Sequence, residues 1–369
     1  MDLIYFQIFL SSIIENLQQH YSFMATDNKT ALTEHFAHKI LTEYLEAKGF
    51  KVTRHAYGLK TAFRAEFENR VDGSSANDKV RTVSFNSEYD ALPGIGHACG
   101  HNLIAISGVA AAYGVKQALK SLKMPGKVVL FGTPAEETIF GKIMLLEAGA
   151  YDDVDICLMI HPSNQDNIGA AFLALVDVDI EYFGRASHAS AAPWNGKNAL
   201  DAAILAYTSV SLLRQQILPS DRQRDQLAKL RQRVESCFIT AAASTGCKYK
   251  ITWGHEVNDV LTNLKLGNKY AKHMNDYGVD FPYDPLSSAG STDMGNVSYR
   301  VPSIHSRISL GTKNGIHTPE FEKDAKTIEA HTRIIRASKC LALTALDVIT
   351  DDQFYKDVYD EFVRVKPKL

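Results

Sequence analysis

Pro93-Gly-Ile-Gly-His97-Ala-Cys99-Gly-His101-Asn102 follows an apolar, β-branched run (Val83, Phe85) and an acidic step (Glu88, Asp90), and leads into a helix of small residues. A cysteine and a histidine two positions apart, with an aspartate close upstream, are soft and borderline metal ligands on one tight turn. Glycine lets the backbone bend far enough for both side chains to reach a common point. Gly94, Gly96 and Gly100 resemble a dinucleotide-binding pattern, but the spacing is wrong and Cys and His would crowd a pyrophosphate. The stretch reads as part of a metal site whose other ligands lie elsewhere in the chain.

At 369 residues the chain exceeds one compact core, so two domains are expected. A 45% hydrophobic and 22% charged composition is that of an ordinary globular protein. The net charge of -2 argues against nucleic acid or an anionic membrane as partner. Five cysteines, an odd number without a CxxC pair, suit a reducing, cytoplasmic setting rather than a disulfide framework. The apolar opening Met1 to Leu10 is too short to span a bilayer and carries Asp2 where a signal peptide wants a base, so it reads as a buried helix.

Outward from the turn, hydrophobic spacing predicts a helix from Asn28 to Gly49, with His35 and His38 in solvated or core-edge roles. Strands are predicted at Phe50 to Arg54, Thr61 to Glu68 and Val80 to Asn86, with a polar turn at Asp72 to Asp78. A helix over Leu103 to Leu122 stops at Pro125-Gly126. The apolar strand Lys127 to Phe131 then runs into Gly132-Thr-Pro-Ala-Glu136-Glu137, and a helix at Met144 to Ala148 precedes the strand Asp155 to Ile160, which ends in His161-Pro162. Alternating apolar strands and helices predict an α/β fold with a mixed, mainly parallel sheet. Asp90, Cys99 and His101, then Glu136 and Glu137, then His161 each fall after a predicted strand end, the edge at which open α/β sheets build their sites.

From Leu175 to Phe183 apolar and acidic residues alternate, as in a strand with one wet face. A loop carrying His188 follows, then a helix capped by Asn198 and running to about Ile217, a break at Pro219 to Arg222, a helix from about Asp225 to Thr245, and a strand from Cys247 to Trp253. These residues are expected to form an inserted α+β domain. The predicted division is 28–174 and 261–369 for a catalytic domain, with 175–260 a shortened lid. The chain returns through a helix at Leu264 to Tyr277, the loop Ser287 to Gly295, and a strand at Ser303 to Ser309. His317 then follows a glycine-flanked loop, the context of His161, and a last helix begins near Lys326. Cys157, Cys237, Cys247 and Cys340 lie on apolar faces and read as core.

Cys99, His101, Glu137, His161 and His317 are about the right number and type for two divalent ions sharing a water, which needs a nearby carboxylate to take and return a proton. Adjacent Glu136 and Glu137 cannot both face one ion, so one should ligate and the other act as base. No GxSxG, SxxK or HExxH motif offers a rival nucleophile or metal site. Zn, Mn and Co all suit such mixed ligation, with Zn first.

These stretches carry a resemblance. Asn86 to Asn102, Gly132 to Glu137, His161-Pro162, Arg185-Ala-Ser-His-Ala189, Ser291 to Gly295 and His317-Thr-Pro-Glu-Phe321 resemble, in order, the M20 family of metallopeptidases and amidohydrolases. The similarity is greatest to its Cys-Gly-His branch, which holds hippurate, indole-acetyl-amino-acid and aminobenzoyl-glutamate hydrolases and Xaa-Arg dipeptidase-like proteins. The resemblance implies a zinc-type di-metal hydrolase of an amide bond in a dipeptide or N-acyl amino acid. It implies Cys99, His101, Glu137, His161 and His317 as ligands, Glu136 as general base, and Asp90 as the residue orienting the turn. It further implies His188 as a lid histidine that polarises the scissile carbonyl, often in a partner's site, so that a homodimer is expected. Asp293 is a candidate substrate contact, or the cap of a turn. The chain departs from the family where Ile217 passes almost directly into the second lid helix, omitting strands and an Asn-x-Ile-Pro stretch, and it lacks the usual His-x-x-Pro-Glu-Leu opening. The short lid weakens the expected dimer and leaves an alternative: a metal-binding but catalytically inactive homologue.

Overall fold

A computed structural model of the chain describes residues 32–70, 80–217, 224–285 and 287–366. The expected N-terminal helix, the polar turn at Asp72 to Asp78 and most of the junction near 218–225 lie outside the described residues. In chain order the elements are α1 (His35–Ala47), β1 (Lys51–Arg54), β2 (Phe63–Asn69), β3 (Thr82–Glu88), α2 (His101–Ser121), β4 (Gly126–Thr133), α3 (Glu136–Ile139), α4 (Gly141–Glu147) and β5 (Ile156–Ser163). They continue through β6 (Leu175–Phe183), α5 (Ala199–Leu212), α6 (Arg224–Thr245), β7 (Lys248–Val257), α7 (Leu264–Asp276), α8 (Met294–Ser298), β8 (Ser303–Ser309), α9 (Pro319–Asp324), α10 (Ile328–Thr350) and α11 (Asp352–Val365).

The chain divides into two compact units, and residues 172–259 with 290–292 make the smaller one. The larger unit is built on a six-stranded sheet of order β1-β2-β4-β3-β5-β8. The pairs β1-β2 and β2-β4 are antiparallel, whereas β4-β3, β3-β5 and β5-β8 are parallel. Phe85 of β3 is in register with Leu130 of β4 and Leu158 of β5, and all three are fully buried. Each such side chain contributes roughly 1.5–3 kcal/mol of burial free energy.

The small residues of α2 have a geometric cause. A Cβ at Gly108 would stand 2.2 Å from Ser87 Oγ and 2.8 Å from the Asn86 carbonyl oxygen, so the helix can lie against β3 only because that atom is missing. Strand β3 is buried along its whole length although five of its seven residues are polar. Its polar groups are paired inward: Ser84 Oγ donates to the Ile156 carbonyl (2.8 Å), Ser87 Oγ to the Ala105 carbonyl (3.0 Å), and Tyr151 Oη to Asn86 Oδ1 (2.9 Å).

In the smaller unit β6 and β7 form an antiparallel pair, with Val178, Ile180, Tyr182 and Ile251 packed on Ala206, Phe238 and Ala241 of α5 and α6. A two-stranded ribbon is marginal alone, and the helical layer supplies the missing apolar face. Asn198 Oδ1 accepts from the Leu200 N–H at 3.2 Å, the cap that starts α5. That helix ends at Leu212 and tightens into a 3-10 turn over Leu213–Gln216, short of Ile217. Among the described residues no helix is long and apolar enough to cross a membrane.

Candidate metal centre

The parallel strands end together, and the candidate ligands sit at that edge. Glu88 is the last residue of β3; Glu136 and Glu137 open α3 just after β4; and His317 follows β8 through a loop. His161 lies inside β5 rather than beyond it, in the last three residues, because the strand runs on to Ser163 in register with Ser309. Gly100, which caps α2, holds a left-handed φ of +83°, and a Cβ there would meet Pro162 Cβ and Cγ at 2.9 Å. Only glycine lets the Cys99 turn close on the His161 strand. The His317 loop is tied to the same turn by its own N–H, which donates to the Ala98 carbonyl at 2.9 Å.

Three sets of potential ligands result at this edge, each with its donor atoms within 4.8 Å of one another: Cys99, His101 and His161; Cys99, Glu137 and His317; and His101, Glu136 and Glu137, which brings the two adjacent glutamates closer together than the sequence leads one to expect. Cys99 belongs to the first two. Its Sγ lies 3.4 Å from His161 Nε2, while His161 Nδ1 donates to the Pro162 carbonyl at 2.7 Å, leaving the Nε2 lone pair aimed inward. His101 is held the same way: Nδ1 lies 2.9 Å from Asp90 Oδ1, and Nε2 stands 3.3 Å from Glu88 Oε2 and 3.8 Å from Glu137 Oε1. That Nε2 is buried and makes no hydrogen bond among the described residues, which fits a nitrogen built to face a cation. Asp90 Oδ2 accepts the Glu137 N–H at 3.0 Å, so one carboxylate braces two ligand-bearing segments. Glu137 Oε1 lies 3.3 Å from His317 Nε2.

The charges are those of a site waiting for positive charge. Burial pushes the Cys99 thiol well up, pushes the Glu136 carboxyl well up together with the neighbouring Glu88 and Asp293 charges, and holds His161 down to about 4. For His101 burial acts downward, but Asp90, Cys99 and Glu88 outweigh it and raise the imidazole well above its usual range. The hydrogen bond with Glu137 raises His317.

A second polar cluster lies behind this one. Glu88, Glu136 and Asp293 are buried with carboxylate oxygens within 4.8 Å of one another. Lys142, completely buried, pairs its ammonium with Glu88 Oε1 and Asp293 Oδ1. Asp293 is therefore placed differently from the expected substrate contact. It has no exposed surface; one oxygen takes the Lys142 ammonium and the other accepts the Lys142 backbone N–H at 2.8 Å, and its side chain does not cap α8. His188 belongs to the smaller unit, on an exposed loop where Nδ1 accepts from the Ala191 N–H at 3.2 Å. Of the other cysteines, Cys157, Cys247 and Cys340 are buried and Cys237 is half-buried. Glu88 enters the sequence reading only as part of an acidic step, with no role given to it, and Lys142 is absent from it. The available signals were an acid ending a buried strand, and a lysine directly ahead of the apolar run Ile143-Met-Leu-Leu146.

Comparison with known proteins gives the family and the fold. Residues 82–338 match the model of peptidase family M20/M25/M40. The chain is 40% identical to the Xaa-Arg dipeptidase of Homo sapiens over 372 aligned residues, covering 90% of this chain and 85% of that protein. Its fold is similar to that of the aminobenzoyl-glutamate utilization protein from Klebsiella pneumoniae, with TM-score 0.69 at 16% identity over 93% of this chain and 98% of the other. A dinuclear metal binding peptidase of the M20 family from Bacillus subtilis gives TM-score 0.63 at 17% identity, covering 92% of this chain and 100% of that one. The α/β fold with its mixed, mainly parallel sheet is thus the one the motifs implied, and the chain belongs to peptidase family M20/M25/M40 and is a hydrolase of that family.

Proposed function

We propose that this chain hydrolyses the amide bond of a dipeptide or N-acyl amino acid, with dipeptides ending in arginine or another basic residue the first substrates to try. The observation that carries the reading is the sharing of Cys99 by two ligand sets, Cys99-His101-His161 and Cys99-Glu137-His317. Two thiolate- and imidazole-rich sets with a carboxylate fit two divalent ions, zinc first, with manganese and cobalt also suited. Such an ion pair, when bound, polarises an amide carbonyl and makes water acidic enough to attack at neutral pH.

The chain's own residues then divide the remaining work. Asp90 fixes the tautomer and direction of His101, so that Nε2 faces inward. Glu136 stands beside Glu137 with no ion pair of its own among the described residues, and its carboxylate takes the proton of the attacking water and returns it to the leaving nitrogen. His188, from the smaller unit, acts on the scissile carbonyl. Leu200, Ile204 and Tyr207 lie at i, i+4 and i+7 on α5 and are 63%, 56% and 73% exposed, an apolar stripe that suits pairing with a second copy. The smaller unit thus serves as lid and dimerisation domain. A cytoplasmic setting agrees with five cysteines that are all free.

One observation favours a second reading. The sheet of the smaller unit has two strands among the described residues, which suits a metal-binding homologue without turnover. Metal analysis combined with a panel of dipeptides and N-acyl amino acids separates the two. Two ions with hydrolysis supports the enzyme; two ions with none supports the inactive homologue.

A further inference from the structure

The cluster of Glu88, Lys142 and Asp293 behind the candidate metal centre is used by no step above. Three buried carboxylates, Glu88, Glu136 and Asp293, have oxygens within 4.8 Å of one another, and a group of that kind ordinarily calls for a cation. Here the chain supplies one of its own. Lys142 comes from α4, the turn of helix directly after the Glu136-Glu137 segment, and its ammonium closes on Glu88 and on Asp293, which lies 151 positions away in the chain. Its backbone N–H donates to the second Asp293 oxygen at 2.8 Å, so Asp293 clamps both ends of the residue. No ion pair ties Lys142 to Glu136 among the described residues.

We infer that Lys142 is a positioning residue that commits two of the three carboxylates and leaves Glu136 uncommitted. Glu88, the last residue of β3, gives one oxygen to this ammonium and keeps the other 3.3 Å from His101 Nε2, so its carboxylate is held from both sides. Asp293 would otherwise repel Glu136 directly. With both held by one ammonium, Glu136 is the only carboxylate of the three free to face the reacting water. The pocket that could take a third cation is filled by a side chain, so the number of bound ions stays at two. This role rests on the proposed hydrolase reading, but it concerns residues outside the ligand set.

The test compares the metal-loaded wild type with Lys142→Met and with Lys142→Met/Asp293→Asn, which restores the net charge of the pocket. Lys142→Met removes the cation at nearly constant shape. We expect it to retain two ions per chain by elemental analysis and to change KM for an Xaa-Arg dipeptide by no more than about twofold. We expect kcat to fall by at least about tenfold as Glu136 is displaced by its unpaired neighbours. The midpoint of thermal unfolding of the metal-free protein should fall by roughly 5–10 °C, because two buried carboxylates lose their partner. The double variant should recover most of both losses. If Lys142→Met does not fold, the double variant decides alone. Folded and holding two ions, it should turn over within about fivefold of wild type, a ratio near 1 kcal/mol in the barrier. Unchanged kcat in Lys142→Met, or a double variant that is folded and metal-loaded yet at least tenfold slower than wild type, would overturn the assignment. A wild type that binds two ions and hydrolyses nothing would instead count against the hydrolase reading, and is told apart by being seen before any substitution.

Discussion

Asp90 Oδ1 lies 2.9 Å from His101 Nδ1, and both residues are buried. That contact fixes which imidazole nitrogen faces the ligand cluster, and the same carboxylate's other oxygen holds the Glu137 backbone. Asp90→Asn keeps the shape and removes the charge that orders the ring. Metal affinity should fall about 10–100-fold, as for other outer carboxylates that orient a ligating histidine. Competition with a chromophoric chelator measures it, and wild-type affinity would show that Asp90 does not orient the site.

Gly100 combines a left-handed backbone with contact against Pro162. Gly100→Ala carries both the conformational cost and the cost of displacing the proline ring, together about 2–4 kcal/mol. Reduced thermal stability and lost metal binding should appear together, since the substitution pushes the Cys99 turn away from the His161 strand. A variant as stable as wild type would mean that the turn does not close as described.

Protons and metal ions compete for the same histidine nitrogens. Glu137 raises His317, and Asp90, Cys99 and Glu88 together raise His101 against the effect of burial. Both imidazoles therefore keep a proton at a pH where a free one, near 6.5, has lost it. Metal affinity should rise with pH through and above that value, with protons released on binding. The stability linkage has the opposite sign. With its folded value raised, His317 stabilises the metal-free protein fully below about pH 6.5 and loses that contribution as pH rises through the folded value. Calorimetric metal titrations in buffers of different ionisation enthalpy measure the proton release, and an affinity independent of pH contradicts the assignment of these residues.

The apolar stripe on α5 predicts a dimer through the smaller unit. Ile204→Asp and Tyr207→Asp each place a charge on that stripe and should shift the protein to monomer at micromolar concentration in sedimentation velocity, with no loss of helix content. A wild type that is monomeric at all concentrations would refute this interface.

The local part of this architecture is legible in the sequence. The strands ahead of Cys99, Glu136 and His317 and the long helix after His101 follow from hydrophobic period and from glycine and proline punctuation, which act over a few residues, whereas the short helices Glu136–Ile139 and Pro319–Asp324 were not read. His161 reads as falling just after its strand, whereas pairing with β8 carries the strand three residues past Ile160 to Ser163, and a partner 146 positions away leaves no mark on the local pattern. The same holds for the Lys142 cluster. A lysine in a short helix and an aspartate in a loop look solvated one by one, and only the fold brings them together in a dry pocket.

The most direct test of the account is Glu136→Gln, with metal content and turnover measured on the same samples as wild type. The substitution leaves the five candidate ligands in place and removes the carboxylate proposed to move the proton. Both proteins should hold two ions per chain, and the variant should hydrolyse an Xaa-Arg dipeptide at least about a hundredfold more slowly. A variant that holds two ions and turns over at the wild-type rate would contradict the account.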